Sequence, residues 1–588
     1  VPKTVSGLTY GTNGFYLNFS DKSGTTATTL GKDSAGSNNW TPNNLSVGTG
    51  AASDSFVDAP TNNWCTLNPL DNGGNTLSQG NTYATTSSGF DLIRSTFFLT
   101  SGKWYWEVTC TNVGETFVGV SDNLELLTGR GAQTTATSCM VRTTDGDKYI
   151  NATESSYAGA AITDGETMMF ALDMDNGKFW AGKSGTWFNS GDPVAGSNPA
   201  TSALTKAVSP SASIYDSEAV WFNFGAGKNF AHTPPTGFKT INSSNLPEAT
   251  IKKASAHFKS KLYSGVGSST LSVSGIGFEP DMVWLKIRGN TYTHGLFSKL
   301  MSTGCSSAYK YLEPQSQSVE TDLWGAIRFD SDGWTGMCSS YANLPTFVHD
   351  FGANGENFIS YNWKVPTASN NTAGSIDSSV RANATAGISM VSWQGDQTDG
   401  STVGHGLGVA PEMIWCKNKT ATGNSWSVYH HELFPTHNDG YVFWLDKPNA
   451  LEDDADIHGD TVTINSTLFS LGDSTMSNGS GNGMIAYCFV GVEGYSKIGT
   501  YIGTGAGGDN GFVYMGFKPQ WILIKRTTSE EWIITDAIRD PVNPVAKYFL
   551  ITGSSEATGV AYDFVSNGVK FRGNSQNESG ATYMYYAI

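Results

Sequence analysis

The stretch GFEPDMVWLK, residues 277–286, recurs as GVAPEMIWCK at residues 408–417 and as GFKPQWILIK at residues 516–525. Each copy has a proline three positions after its first glycine, then an apolar run, and a lysine nine positions after that glycine. The copies start 131 and 108 residues apart, so the repeating unit has the size of a domain. A duplicated unit whose loops differ in length is typical of proteins that display surfaces.

Each repeat is predicted to contain five β-strands, because its segments alternate or form short apolar runs. The second strand carries the Gly-x-x-Pro stretch, where proline suits strand entry because no ladder donor is needed. The first strands are AHFKSKLY (256–263), ISMVSW (388–393) and YSKIGTYI (495–502). The aromatic third strands are YTHGLF (292–297), SWSVYH (425–430) and EWIITD (531–536). The fourth segments are FDSDGWTG (329–336), DTVTINSTLF (460–469) and DFVSNGVKFRG (563–573), and the closing strands are NFISYNW (357–363), GMIAYCFV (483–490) and ATYMYYAI (581–588).

The composition of the 588 residues predicts an all-β, multidomain protein. Charged residues make up 15% of the chain, against roughly 25% in ordinary globular proteins, while 68 glycines supply turns and 12% of residues are aromatic. Lysine and arginine number 35 against 52 acidic residues, a net charge of −17. This balance argues against nucleic acid as a partner and against a polybasic membrane contact.

No apolar stretch reaches the roughly 18 to 20 residues of a membrane helix, so we expect no membrane insertion. The first residues, VPKTVSGLTYGTNG, lack the features of a signal peptide, and the absence of an initial methionine predicts a processed chain or a segment of a longer one. The seven cysteines are scattered, which predicts buried free thiols and synthesis in a reducing host cytoplasm.

A second group of strands lies upstream of the repeats. SGKWYWEVTC (101–110) and FVGVSD (117–122) are followed by GETMMFALDMDNGKFWAGKSGTWF (165–188), where Asp-Asn-Gly predicts a hairpin turn between two strands, and by EAVWFNFGAG (218–227). Together with the downstream PPTGFK, these segments resemble the SPRY domain, a concanavalin-like β-sandwich, over about 175 residues. The resemblance implies a non-catalytic binding module whose ligands contact loops at one rim of the sandwich.

The predicted organisation has five parts. They are an N-terminal β arm (1–60) with one strand at GFYLNF (14–19), the SPRY-like sandwich (61–240), and β-sandwich-like repeats at 251–366, 385–492 and 493–588. The repeats resemble the carboxy-terminal repeats of virion structural proteins of marine tailed bacteriophages. That resemblance implies a tail-fibre, spike or particle-surface role, location in the virion, other virion proteins as partners, and a homo-oligomer, usually a trimer.

Several motifs imitate catalytic sites. GTGAGG (503–508) has the spacing of a dinucleotide loop, but a strand follows it where that site needs a helix. GDST (472–475) has no histidine downstream to act as a general base, so we interpret it as a turn. HHELFPTH (430–437) has the wrong histidine spacing for a zinc helix, and we expect solvated loop histidines.

Two groups of residues are candidate binding sites. Asp453, Asp454, Asp456 and Asp460 of LEDDADIHGD could hold Ca²⁺, with a solvated acidic loop as the alternative; no other cofactor or metal is predicted. Trp187, Trp334 and Trp444 lie near turns and are the predicted ligand-binding aromatics, whereas Trp284 and Trp415 are assigned to the core. Lys286, Lys417 and Lys525 are interpreted as strand-end charges that discourage edge pairing.

The sequence therefore predicts a non-catalytic bacteriophage virion protein that attaches to the host by binding a surface glycan or another receptor. Three alternatives stay open: a capsid decoration or purely structural virion protein, a glycan depolymerase tailspike, and a bacterial surface adhesin. The depolymerase would need two carboxylates about 5 to 9.5 Å apart in a cleft, and sequence alone does not exclude such a pair.

Overall fold

The computed structural model describes residues 7–47, 62–226, 230–268, 270–338, 351–433, 441–459, 461–505, 511–553 and 555–588. The chain divides into an N-terminal unit, Val1–Glu248, and a C-terminal unit, Ala249–Ile588. Its strands are antiparallel and its helical segments are single turns. The turns are Phe188–Ser190, Ala254–Ala256, Cys305–Ser307, Ala384–Ala386, Ala455–His458 and Thr475–Asn478. The all-β prediction is confirmed.

The strands of the N-terminal unit begin after the arm. They are β1 Leu67–Asn72, β2 Thr76–Ser78, β3 Tyr83–Thr85, β4 Phe90–Ser95, β5 Lys103–Thr111, β6 Phe117–Ser121, β7 Cys139–Arg142, β8 Lys148–Ile150, β9 Thr153–Ser155, β10 Thr167–Asp173, β11 Lys178–Lys183, β12 Thr186–Trp187, β13 Ser209–Tyr215 and β14 Ala219–Asn223. The described residues form two seven-stranded sheets, in the orders β1-β4-β13-β6-β7-β8-β9 and β12-β11-β10-β5-β14-β3-β2.

The predicted alternation of the KWYWEV segment determines how β5 packs. Trp104, Trp106 and Val108 face the core shared by the two sheets, whereas Tyr105 faces the opposite side and packs with Phe238. Both faces of β5 are therefore covered, which explains why six of its nine residues are buried.

The predicted N-terminal strand at residues 14–19 is wrong. Residues 7–47 contain a single bridge, Leu17 to Asp33, and no named strand. Instead, the Asp33 carboxylate accepts backbone N–H groups from Tyr16, Ala35 and Asn38. Side-chain acceptors of this kind replace ladder partners and favour turns over strands.

The C-terminal unit holds the three repeats. Repeat 1 has β15 Phe258–Ser264, β16 Leu271–Ser274, β17 Met282–Ile287, β18 Gly295–Ser298, β19 Tyr311–Leu312, β20 Ala326–Asp330, β21 Gly333–Cys338 and β22 Asn357–Trp363. Repeat 2 has β23 Thr367–Asn371, β24 Ser378–Asn383, β25 Ile388–Gln394, β26 Thr402–Gly404, β27 Met413–Asn418, β28 Ser427–His430, β29 Tyr441–Trp444, β30 Glu452–Asp453, β31 Leu468–Ser470 and β32 Gly483–Phe489. Repeat 3 has β33 Lys497–Ile502, β34 Gly511–Tyr514, β35 Trp521–Arg526, β36 Ile533–Asp536, β37 Val545–Leu550, β38 Ala557–Val565, β39 Gly568–Phe571 and β40 Thr582–Ala587.

The main sheet has one strand order in all three repeats: first, closing, second, third and then a fifth strand. These are β15-β22-β17-β18-β19, β25-β32-β27-β28-β29 and β33-β40-β35-β36-β37. The second strand starts each time after a turn whose glycine has a positive φ: 92° at Gly277, 79° at Gly408 and 83° at Gly516. Glycine adopts this conformation without the steric cost that other residues meet, which explains why the repeated stretch begins with it.

The three repeats share one hydrophobic core. Alternate residues of the second strands face it, namely Met282 and Trp284, Met413 and Trp415, and Trp521 and Leu523. The intervening residues of each second strand face the separate core of their own repeat. The rings of Trp284 and Trp415, from different repeats, meet edge to face with centroids 5.9 Å apart. Burying such a ring contributes on the order of 3 kcal/mol or more, so the repeats depend on one another for stability.

Hydrogen bonds between the repeats close a ring. Three backbone amides bond to the carbonyl two residues after the repeated lysine in a neighbouring repeat: Glu320 to Lys419 at 2.9 Å, Leu451 to Thr527 at 2.8 Å, and Glu556 to Arg288 at 2.8 Å. Repeat 1 thus donates to repeat 2, repeat 2 to repeat 3, and repeat 3 back to repeat 1. The C-terminal unit has the connectivity of a three-fold ring built from one chain.

Candidate functional site

The three predicted ligand-binding tryptophans are largely covered. Trp334 is fully buried among the core residues of repeat 1, and Trp444 is 3% exposed, with its indole N–H donating to Glu452 at 2.7 Å. Their predicted exposure near turns is wrong: Trp334 follows a turn and Trp444 precedes one, but each side chain packs into an apolar cluster. Trp187 is half-buried and packs against a cluster with Tyr105 and Trp180.

The predicted calcium loop has a different structure from the one expected. Asp453 lies in β30 and is exposed, Asp454 is half-buried, and Asp456 is in the first turn of the short helix Ala455–His458. Asp460 lies outside the described residues. Within the described part of the chain these aspartates do not form a group of three converging ligands.

The motifs that resemble catalytic sites have structural roles in the part of the chain that the structure describes. The Ser474 hydroxyl accepts the backbone N–H of Met476 and caps the helix Thr475–Asn478. His430 is fully buried at the end of β28, so the expectation of solvated histidines is wrong for it; His437 and Pro435 lie outside the described residues. Of GTGAGG, only residues 503–505 are described.

The repeated lysines are buried, which corrects their interpretation as strand-end charges. Lys286, Lys417 and Lys525 have no exposed surface, because both faces of the second strand are covered. Each ammonium donates to backbone carbonyls: Lys286 to Tyr292, Lys417 to Asn424, and Lys525 to Thr528 at 3.1 Å. Burial lowers the pKa of Lys417 and of Lys525 to about 8.

The cysteines with described side chains follow the prediction only in part. Cys65, Cys110, Cys139, Cys416 and Cys488 are buried free thiols as expected, and burial raises the pKa of Cys65 to about 12. Cys305, however, is disulfide-bonded.

A carboxylate group that the sequence analysis missed lies in the N-terminal unit. Oxygens of Asp145, Asp147 and Glu154 lie within 4.8 Å of one another. The Arg142 guanidinium donates to Asp145 and, at 2.5 Å, to Glu154. Burial acts to raise the pKa of Asp145, but the bond and charge of Arg142, together with the bond from the Asp147 amide, hold that pKa below its usual value. The arrangement is an arginine-centred ion-pair network.

The candidate functional site is an open cavity of about 530 Å³ in the N-terminal unit, which we call the rim cavity. Its lining comes from the turn between β10 and β11, from the segment 202–207 before β13, and from Thr100. Met174 and Leu204 form a buried apolar floor, while Asp175, Asn176, Ser202 and Thr205 are exposed at its edge. This volume lies within the roughly 300 to 1,000 Å³ of small-ligand sites.

Local hydrogen bonds hold the rim cavity in shape. The Leu204 amide donates to the Gly177 carbonyl at 3.1 Å, which ties the two lining segments together. Asp175 accepts the Gly102 amide at 2.7 Å. Behind the turn, burial acts to raise the pKa of Asp173, but bonds from Asn176 and Lys103 outweigh it and lower that pKa. The predicted Asp-Asn-Gly hairpin is thus confirmed, and it positions this site.

The family of the C-terminal unit follows from a match over residues 253–588, which spans all three repeats. The chain belongs to the family described as domain of unknown function (DUF7483). No curated protein matches the chain. No helix among the described residues has the length and hydrophobicity needed to cross a membrane.

Solved structures similar to the chain include SPRY domains. The SPRY domain of human HERC1 is 22% identical, with 26% of this chain and 96% of that domain covered and a TM-score of 0.23. Stonustoxin is 18% identical, with 27% of each chain covered and a TM-score of 0.22. The PSpry domain of TRIM65 is 15% identical, with 27% of this chain and 91% of that domain covered and a TM-score of 0.22. These similarities concern fold alone.

Proposed function

We propose that this protein is a non-catalytic component of a bacteriophage virion, in a tail fibre, spike or particle surface, and that it binds a host-surface glycan or another receptor. The virion setting is supported by the resemblance of the repeats to phage structural proteins. The binding role is supported by the rim cavity. A homotrimer and contacts with other virion proteins belong to the same proposal.

The rim cavity carries this proposal because its chemistry suits binding. An apolar floor with hydroxyl, amide and carboxylate groups at the edge can hold the carbon skeleton of a ligand and orient its polar groups. Asp175 is the one carboxylate among the lining residues, and it already accepts a backbone amide. A depolymerase would need a second carboxyl group across the cleft, so the lining favours retention of a ligand over cleavage.

Copies of a weak site on one particle bind a cell surface far more tightly than one site alone. Tethering commonly increases avidity by about 10² to 10⁴. A shallow site is therefore sufficient for attachment, provided that several copies face the same surface.

Retention on host polysaccharide tests this function. Full-length protein should bind immobilised polysaccharide from a host of the phage, and should release no new reducing ends. Thr205→Trp, which places a large side chain at the exposed edge of the rim cavity, should weaken binding at least tenfold. The matched control is Thr153→Trp, at an exposed position of β9. Immunogold electron microscopy of intact particles should label the tail or outer surface; labelling only at a buried joint, or steady release of reducing ends, would refute the proposal.

A further inference from the structure

Repeat 2 carries a hairpin, β23–β24, that extends its main sheet beyond the first strand. In repeats 1 and 3 the described main sheet ends at the first strand, β15 or β33. The hairpin occupies part of residues 367–384, which the sequence analysis left between two repeats. All five residues of β23 are polar or small. The first four are exposed, and the last, Asn371, is half-buried. The outer strand β23 carries no large apolar residue, so the exposed polar face of the hairpin is a candidate for recognition.

Three polar side chains form a row across this extension. The strand register pairs Asn370 with Ser379 and Ser379 with Ser392. Directly opposed residues on one sheet face have Cβ atoms about 4.5 to 5.5 Å apart. An amide and two hydroxyls thus follow one another across three neighbouring strands at this spacing.

The row lines an open cavity of about 380 Å³, which we call the shelf. Thr372, Asp377, Ser378 and Gln394 complete its polar lining, and Trp393 also lines it. The lining serines have short side chains, which lets a ligand approach the sheet closely, whereas Asp377, Asn370 and Gln394 have longer ones.

The base of the shelf is rigid. Val380 and Val391, on the opposite face of the same strands, belong to the core of repeat 2. The Ser392 hydroxyl donates to the Met484 carbonyl at 2.8 Å, which leaves the oxygen lone pairs of Ser392 as acceptors. Fixed polar groups lose little conformational entropy on binding, which favours affinity.

Other polar groups of the shelf are available to a ligand. Within the described part of the chain, no hydrogen bond involves the Asp377 carboxylate, the Asn370 amide or the Ser379 hydroxyl; all three residues are exposed. Together they offer hydrogen-bond donors and acceptors that can pair with hydroxyl groups on neighbouring carbons of a sugar.

We propose that the shelf is a second binding site, in the DUF7483 region, for a neutral saccharide. Asp377 is the one charged residue among those that line it, and the chain as a whole carries a net charge of −17. A carboxylated, sulfated or phosphorylated sugar would meet repulsion from both. This proposal rests on the proposed function, because the glycan is taken from there as the class of ligand. It assigns that ligand to a surface separate from the rim cavity.

Calorimetric titration of the full-length protein tests the assignment with two sets of probes. Neutral oligosaccharides of glucose, galactose and mannose should include a ligand, whereas alginate oligosaccharides and sialyllactose should bind at least tenfold more weakly. Ser379→Trp should abolish binding of the neutral ligand. The control is Ser274→Trp, at the exposed end of β16 in repeat 1, which should leave it unchanged.

Further variants make each outcome decisive. Asp377→Asn should reduce the discrimination against the acidic probes at least threefold, a change that a merely structural role would not produce. If Ser379→Trp fails to fold, Asn370→Ala combined with Asp377→Ala should still weaken neutral binding at least tenfold. Loss of binding in Thr205→Trp but not in Ser379→Trp would refute the proposal that the shelf binds the saccharide. The rim cavity would then be the receptor site. Binding of no neutral probe would also overturn the shelf, while polysaccharide retention and particle labelling would decide the proposed function separately.

Discussion

The His294 Nε2 atom lies 3.1 Å from the carbonyl oxygen of Leu550, and this bond joins repeat 1 to repeat 3. Trp426 and Trp532 occupy the same position in the other repeats, one residue before the third strand. Their indole N–H groups bond to the preceding repeat, at Glu313 (3.0 Å) and Trp444 (2.8 Å). His294 therefore takes the place of a tryptophan at the junction between repeats 1 and 3, where the ring closes.

Replacing His294 should loosen the whole ring. His294→Ala leaves a cavity and removes the bond to Leu550, and we expect the free energy of unfolding to fall by about 2 to 4 kcal/mol. Urea unfolding measures this change, with Tyr292→Ala, which truncates a 40% exposed side chain, as a control that should cost less. Hydrogen exchange should show faster opening in all three repeats; acceleration confined to repeat 1 would contradict a closed ring.

A buried ion pair strengthens the same junction. Asp536 bonds to Arg539 at 2.6 Å and accepts the Tyr361 hydroxyl at 2.7 Å. Asp536→Asn removes the nearest carboxylate from a buried arginine and leaves only Glu556, 3.6 Å from its Nη1 atom, as a charged partner, so we expect a loss of up to about 3 to 5 kcal/mol. Tyr361→Phe removes one hydrogen bond and should cost about 1 to 2 kcal/mol. Equal effects of the two variants in chemical denaturation would disprove the role of charge.

The sequence was sufficient to predict which segments of each repeat form strands, but not how the three repeats pack against one another. A short apolar run identified the second strands, because a strand that is covered on both faces is apolar at successive positions. However, such a run shows only that both faces are covered. Whether Trp284 faces its own repeat or a neighbouring one depends on contacts between segments more than 100 residues apart, which no local pattern encodes.

The candidate sites were harder to predict than the fold. Proximity to a turn suggested that Trp334 and Trp444 are exposed, yet side-chain direction is set by strand register and not by distance from the turn. The rim cavity depends on segments near residues 100, 175 and 205, and the shelf depends on a hairpin whose outer strand, β23, has no large apolar residue. In both cases the polar residues become a site only through tertiary contacts. The Asp-Asn-Gly turn was the one signal that located part of the rim cavity.

The buried lysines should make stability increase at alkaline pH. Burial lowers the pKa of Lys417 in the folded protein to about 8, whereas an unfolded lysine has a pKa near 10.4. Between these values the unfolded chain binds more protons, so stability rises with pH. The rise should approach about 3 kcal/mol.

Lys417→Met removes this titration and should flatten the increase between pH 8 and pH 10. The free energy of unfolding, measured by urea denaturation across this range, gives the comparison. An exposed lysine, such as Lys518, supplies the matched control, Lys518→Met. An unchanged slope in Lys417→Met would show that Lys417 is not the group that titrates.

Acid should destabilise the C-terminal unit through its buried histidines. The His294 Nδ1 atom accepts the Trp284 indole N–H at 3.0 Å, so a proton there would oppose a donor, and burial holds the pKa of His294 well below its usual range. Burial also lowers the pKa of His458 from 6.5 to about 4.

A depressed histidine pKa means that the unfolded chain takes up protons first as the pH falls. The stability associated with His458 is therefore fully present above pH 6.5 and is lost as the pH falls toward 4, by about 3 kcal/mol. His458→Gln cannot titrate and should reduce the loss between pH 7 and pH 4, as followed by urea unfolding at each pH. His232→Gln, in the N-terminal unit, is the matched control and should retain the loss. If His458→Gln lost stability with the same pH profile as the unmodified protein, other groups would have to account for the acid sensitivity.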